Sequence, residues 1–223
     1  MVRITHWVTA LCFVGLLVTG IEIVISHPRF YWGEEGNVNT PPLISIPVPS
    51  SRESVPTGYG YVLPDQNGWS RSLHFQSAWV AVLTGLVYLL AGWRTGHFRR
   101  NLVPSRAELS PRALGRVIVK PLRLRRTRGD DAYNPLQRIT YLLVIFGAFP
   151  AMIWTGLAMS PAVTSVWPFL VTVLGGHQSA RTIHFFGTVA LVLFLVVHVL
   201  MLCLSGFWKR TRAMITGRYK EGS

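Results

Sequence analysis

Four long apolar runs, at 7–26, 73–93, 138–160 and 183–207, alternate with polar and proline-bearing segments along the chain. Each is about the 20 residues that an α-helix needs to cross roughly 30 Å of hydrocarbon, so the pattern predicts four spanning helices. A long loop at 27–72, a second at 94–137 and a shorter connection at 161–182 would join them. The stretch 162–176 is also apolar, but it is only 15 residues long with Pro168 near its middle. That length suits a short interfacial helix before the last span better than a fifth crossing. The expectation is an all-α, integral membrane four-helix bundle forming a single domain over 1–223.

Charge orients the bundle. With four spans both termini and the loop 94–137 share one side, and that side carries 18 of the 22 Lys and Arg residues. The opposite side holds Arg29, Arg52, Arg71 and Arg181. By the positive-inside rule the termini of this multi-pass protein are cytoplasmic. A net charge of +13 with 50% hydrophobic residues fits no soluble domain of this size. The cluster Arg123, Arg125, Arg126 and Arg128 sits beside a span, where topology and anionic membrane lipid account for it without nucleic acid.

The first run is as long as a full span and lacks a small-residue cleavage site, so it is expected to stay in the mature protein rather than act as a signal peptide. The two cysteines, Cys12 and Cys203, form no disulfide framework, and without a Cys-x-x-Cys-His motif any haem must be held non-covalently. The loop 27–72 contains seven prolines and the phrase Tyr59-Gly-Tyr-Val-Leu-Pro, which reads as ordered irregular chain forming a docking surface.

Four of the seven histidines, His6, His74, His184 and His198, fall within or at the ends of the spans, where ionisable side chains are uncommon and usually functional. His184 and His198 are 14 residues apart on one helix, nearly four turns and roughly 21 Å along its axis. One helix face thus presents two ligands at two depths. His74 opens the second helix at the outer side and His6 opens the first at the inner side, so level matching pairs His74 with His184 and His6 with His198. Two neutral imidazoles on facing helices suit a low-spin haem iron with both axial positions filled, an electron-transfer site. Zinc ordinarily takes three or four protein ligands and suits these pairs poorly. Gly20 lies 14 residues after His6, on the same face at the other haem's level, where a porphyrin edge needs room; Gly15, Gly85, Gly147 and Gly187 are further places without bulk. His27, His97 and His177 read as solvent or headgroup contacts, and Glu22 as a snorkelling interfacial acid.

These pieces together resemble the bacterial di-haem cytochrome b family, the cytochrome b561 type that includes cytochrome b subunits of nickel-iron hydrogenases, formate dehydrogenase and thiosulfate reductase. The resemblance is carried by Arg3-Ile-Thr-His6-Trp7 with Thr19-Gly20, by His74, by Tyr133-Asn-Pro-Leu-Gln137-Arg138, and by His184 with His198. It implies two haem b groups and a quinone site beside the inner haem, near Asn134 and Gln137. Asn134-Pro135 is also a good helix-start signal in its own right. The long proline-rich outer loop departs from the hydrogenase type. The phrases Gly58-Tyr-Gly-Tyr-Val-Leu-Pro-Asp65 and Gly156-Leu-Ala-Met-Ser-Pro161 look more like members that accompany a molybdopterin oxidoreductase.

The function expected is transfer of electrons across the membrane between quinone or quinol and an outer-side, periplasmic redox protein, a molybdoenzyme or a c-type cytochrome. Two other readings stay open at this stage. One is a stand-alone oxidoreductase oxidising superoxide or a small reductant at the outer haem, served by Arg71 and Arg181. The other is a haem or metal carrier.

Overall fold

The computed structural model describes residues 1–37, 39–48, 67–104, 135–204 and 206–217. The phrase Tyr59 to Pro64, the arginine cluster at 123–128 and Asn134 lie outside the described residues. The protein is mostly helical, and four helices are long and apolar enough to cross a membrane: Val2–Ser26, Gly68–Arg94, Gln137–Ala158 and His177–Leu204. At most 11% of the most apolar window in each is buried within the protein, so their Leu, Val and Trp side chains mostly point outward. Such surfaces are stable only in contact with lipid, and the chain is a multi-pass integral membrane protein.

Helix α1 is Val2–Ser26. Its buried positions are Thr5, Cys12, Thr19 and Ser26, all small and seven apart, so one narrow stripe faces the protein. Helix α2 is Asn67–Arg94. The third span is compound: α3, Pro135–Leu143, runs through a π-helical turn at Val144–Ala148 into α4, Phe149–Ala158. Pro150 explains the turn, because it cannot donate to the carbonyl four residues back and its ring crowds that carbonyl.

The stretch 162–176 is not a fifth span. Two four-residue helices, Pro161–Thr164 and Phe169–Thr172, lie across its start and its middle. Helix α5 then begins at His177, six residues earlier than the hydropathy pattern predicts, and ends at Leu204. Gly206, at φ +100°, breaks the helix, and α6, Phe207–Thr216, follows.

The chain divides into two compact units, Met1–Tyr88 with Ala151–Gly187, and Leu89–Pro150 with Thr188–Ser223. In the first unit Ala158, Val171 and Ala180 form a small core with Met159, Leu170 and Leu174 packed on it. A two-stranded ribbon, β1 Arg29–Phe30 and β2 Ile44–Ser45, pairs antiparallel.

The segment around this ribbon caps α5. The N–H groups of Gln178 and Ser179 donate to the Gly33 carbonyl at 3.1 and 3.2 Å, and that of His177 donates to Glu34 Oε2 at 3.1 Å. Three donors that a helix start would leave unsatisfied are thus taken by the loop. Gly176, at φ +114°, makes the approach feasible: a Cβ there would lie 2.5 Å from the Gly33 carbonyl oxygen. Thr182 Oγ1 donates to the Tyr31 carbonyl at 2.6 Å, and Phe30 and Tyr31 are almost wholly buried.

In the second unit Gly92 leaves room for the Phe98 ring, which meets Phe146 edge-on at 5.4 Å.

Candidate haem site

His74 on α2 and His184 on α5 both belong to the first unit, and their ring centroids are 6.4 Å apart with the planes at 60°. Two metal–imidazole bonds of about 2 Å each, plus the two ring radii, span about 6 Å, so this gap fits one iron with an axial ligand on either side. The two imidazoles make a two-ligand donor set, as a haem iron takes from a protein, where zinc ordinarily takes three or four.

Glycines flank both rings. A Cβ built on Gly20 of α1 would lie 3.7 Å from His74 Cε1, and one on Gly156 of α4 would lie 3.7 Å from His184 Cε1. A haem held by these rings would find no side-chain bulk at these two positions. Immediately before each glycine is a buried threonine: Thr19 Oγ1 is 2.9 Å from His74 Nδ1, and Thr155 Oγ1 is 2.8 Å from His184 Nδ1. The donor set, the spacing and the glycine cradle all fit haem b.

Sequence reasoning singled out His74, His184 and Gly20 but passed over Thr155, and it quoted Gly156 only in the resemblance to partner-bearing members, not at the haem. The signal existed as a repeat. Arg71-Ser-Leu-His-Phe75 matches Arg181-Thr-Ile-His-Phe185, and Thr19-Gly20 matches Thr155-Gly156. Each pair of consecutive spans contributes one histidine and one Thr-Gly to the site.

Cations gather outward of these rings, with Arg71 and Arg181 each three residues before a histidine. Arg181 Nη2 donates to the His27 carbonyl, and its guanidinium lies 4.9 Å from the Phe30 ring centre. Burial, then the charges of Arg181 and Arg71, push the His27 imidazole below the ordinary histidine range. His177 Nδ1 meets Glu34 Oε1, and that hydrogen bond lowers the Glu34 carboxyl pKa. His97 Nδ1 pairs with Asn101 Nδ2 at 2.8 Å. Glu22 Oε1 is buried with no hydrogen-bond partner among the described residues.

His6, against Trp7, lies in the first unit, and His198 in the second. Around His198 stand Phe194, stacked at 5.8 Å, and Tyr141, at 6.3 Å. Gln137 is half-buried and shares a face of α3 with Tyr141 by its four-residue spacing. An apolar cavity of about 400 Å³, lined by Pro104, Ile139, Leu142, Leu143, Phe146 and Gly147, uses a different face of α3. Of the other glycines, Gly15 approaches Ser77 Oγ, Gly187 approaches Met152 Sδ, and Gly85 and Gly147 have no described atom within 4 Å of a built Cβ.

Four membrane spans with this site define a haem-b electron-transfer protein of the membrane. Comparison with known proteins agrees, and the chain belongs to the prokaryotic cytochrome b561 family, whose model matches residues 1–217. The chain is 30% identical over 203 residues to the putative protein-methionine-sulfoxide reductase subunit YedZ1 of Azospira oryzae, covering 91% of this chain and 87% of that one. No solved structure matches the chain.

Proposed function

We propose that the protein carries two haem b groups, one held by His74 and His184 near the outer surface and one by His6 and His198 near the cytoplasm, and conducts electrons from quinol to an outer-side reductase. The observation that carries this reading is the 6.4 Å separation of His74 and His184 between two glycine-lined helices. The bound haems supply one-electron carriers at two depths. The 14 residues from His184 to His198 on continuous α5 separate those depths by roughly 21 Å. The basic loop and tail keep the inner level cytoplasmic, in the inner membrane of a bacterium.

Quinone is handled beside His198. Gln137, one turn before Tyr141 on the helix whose Tyr141 ring neighbours His198, supports this by its placement, and Asn134 enters by the family resemblance alone. A quinone carbonyl needs a hydrogen-bond donor, and its reduced form needs water to take up protons, which the membrane edge offers.

The name of the Azospira oryzae relative, a reductase subunit, supports a reductase as the partner; its outer location rests on the depth of the His74 and His184 pair, and its molybdopterin type on the resemblance above. The ordered loop that caps α5 offers it a docking surface. The test is a reduced-minus-oxidised spectrum of the purified protein after quinol addition. Two bis-histidine haem signals should appear, and an oxidised outer-side reductase should discharge them. Absence of any quinol-driven reduction would end the conduit reading.

A further inference from the structure

We propose that Thr19 and Thr155 are a matched pair of positioning residues that hold His74 and His184 in the Nδ1–H tautomer and thereby set the potential of the outer haem. The proposal rests on the ligand assignment above and goes beyond it.

A hydroxyl has one proton and two acceptor lone pairs. Thr19 Oγ1 lies 2.7 Å from the Gly15 carbonyl oxygen, and Thr155 Oγ1 lies 2.8 Å from that of Ala151, each one turn back on its own helix. Such back-bonding is the ordinary habit of a threonine inside a helix, and it uses the only proton. What remains facing the imidazole is a lone pair, at 2.9 Å for His74 and 2.8 Å for His184. The ring nitrogen opposite must then be the donor, so each Nδ1 carries hydrogen and each Nε2 keeps the lone pair that iron requires. This tautomer is assigned from the hydrogen-bond network.

The two threonines are 0% and 2% exposed, so the contact is shielded from bulk water. The following glycine lets each threonine-bearing helix come close, with a built Cβ in ordinary contact at 3.7 Å from the ring. Each ligand is thus held from a helix other than its own, α1 for His74 and α4 for His184, by the same dipeptide. An imidazole that donates its second N–H to an oxygen is a more basic ligand and favours ferric over ferrous iron.

The test is a potentiometric titration of the purified holoprotein, following haem absorbance, for Thr19→Val, Thr155→Val and the corresponding Ser variants. Valine keeps the shape and removes the threonine acceptor, leaving the backbone carbonyls of Leu16 and Met152 that also bond the His74 and His184 rings. Each Val variant should lose about tenfold in ferric-over-ferrous preference, raising the outer potential by about 59 mV while the inner potential stays fixed. The Ser variants should keep the wild-type value. If a Val variant loses the outer haem, the Ser variant decides: retention at the wild-type potential supports the hydroxyl role, and equal loss assigns the threonine to packing and overturns it. Unchanged potentials in haem-replete Val variants overturn it as well. His74→Ala retaining the outer haem would instead overturn the ligand assignment, and the proposal with it.

Discussion

Replacing Gly20 separates a cradle for a cofactor from ordinary helix packing, because the geometry predicts opposite outcomes for two substitutions. Among the described residues a Cβ at Gly20 meets only His74 Cε1, at 3.7 Å, an ordinary van der Waals contact. Gly20→Ala should therefore be tolerated, and in a helix interior alanine is favoured over glycine by about 0.8–1 kcal/mol. Gly20→Leu carries three further carbons into the space beside the ligand, where a haem edge would lie. Overpacking of a filled site typically costs about 1–3 kcal/mol, or about 5- to 150-fold in haem affinity. Haem quantified per polypeptide in purified protein, with the inner haem as internal standard, reads this directly. The expected result is two haems in Gly20→Ala and a falling outer signal in Gly20→Leu. Full two-haem occupancy in the leucine variant would refute the face assignment, and loss of both haems together would show that the substitution had damaged the fold instead.

Three further expectations follow from particular residues. His74→Ala and His184→Ala should each abolish the same haem signal, with His198→Ala removing the other; loss of different haems from the first two would break the pair. Gln137→Leu keeps size and removes hydrogen bonding, so haem spectra should be intact and stopped-flow reduction by quinol at least tenfold slower; unchanged kinetics would move the quinone site elsewhere. His27 and Glu34 both have depressed pKa values, so each contributes stability above its unfolded pKa that is lost as pH falls toward its folded one. Melting temperature should therefore fall on acidification below about pH 6.5, the unfolded histidine value. His27→Gln should flatten the upper part of that fall, and an identical pH profile in the variant would dismiss the cation cluster as its source.

The spans were legible in the sequence because a membrane imposes one requirement on every residue of a crossing segment: about 20 apolar positions whose backbone groups bond internally. The same reasoning rejected 162–176 as a crossing, and the structure gives two short helices there. The histidines were legible because hydrocarbon makes ionisable side chains costly enough to be informative.

Helix ends were less so. Hydropathy places the start of α5 at 183, but the helix begins at His177, because Gly33 and Glu34, more than 140 residues earlier, take up its first N–H groups. No local signal carries a cap donated from so far away. Arg181 shows the same limit: only the fold places its guanidinium against the His27 carbonyl, 154 residues away in the chain.

What the sequence alone determined was a one-dimensional quantity, the depth of each group along a helix, which follows from 1.5 Å per residue. Which helices meet at that depth was decided by tertiary structure. Thr19 and Thr155, 136 positions apart and each able to bond its own helix, become one site only when α1 and α4 bring their oxygens within 3 Å of His74 and His184. The physical reason is that a threonine's back-bond to its own helix is satisfied wherever the helix lies. Only packing chooses which ring nitrogen faces the lone pair that remains.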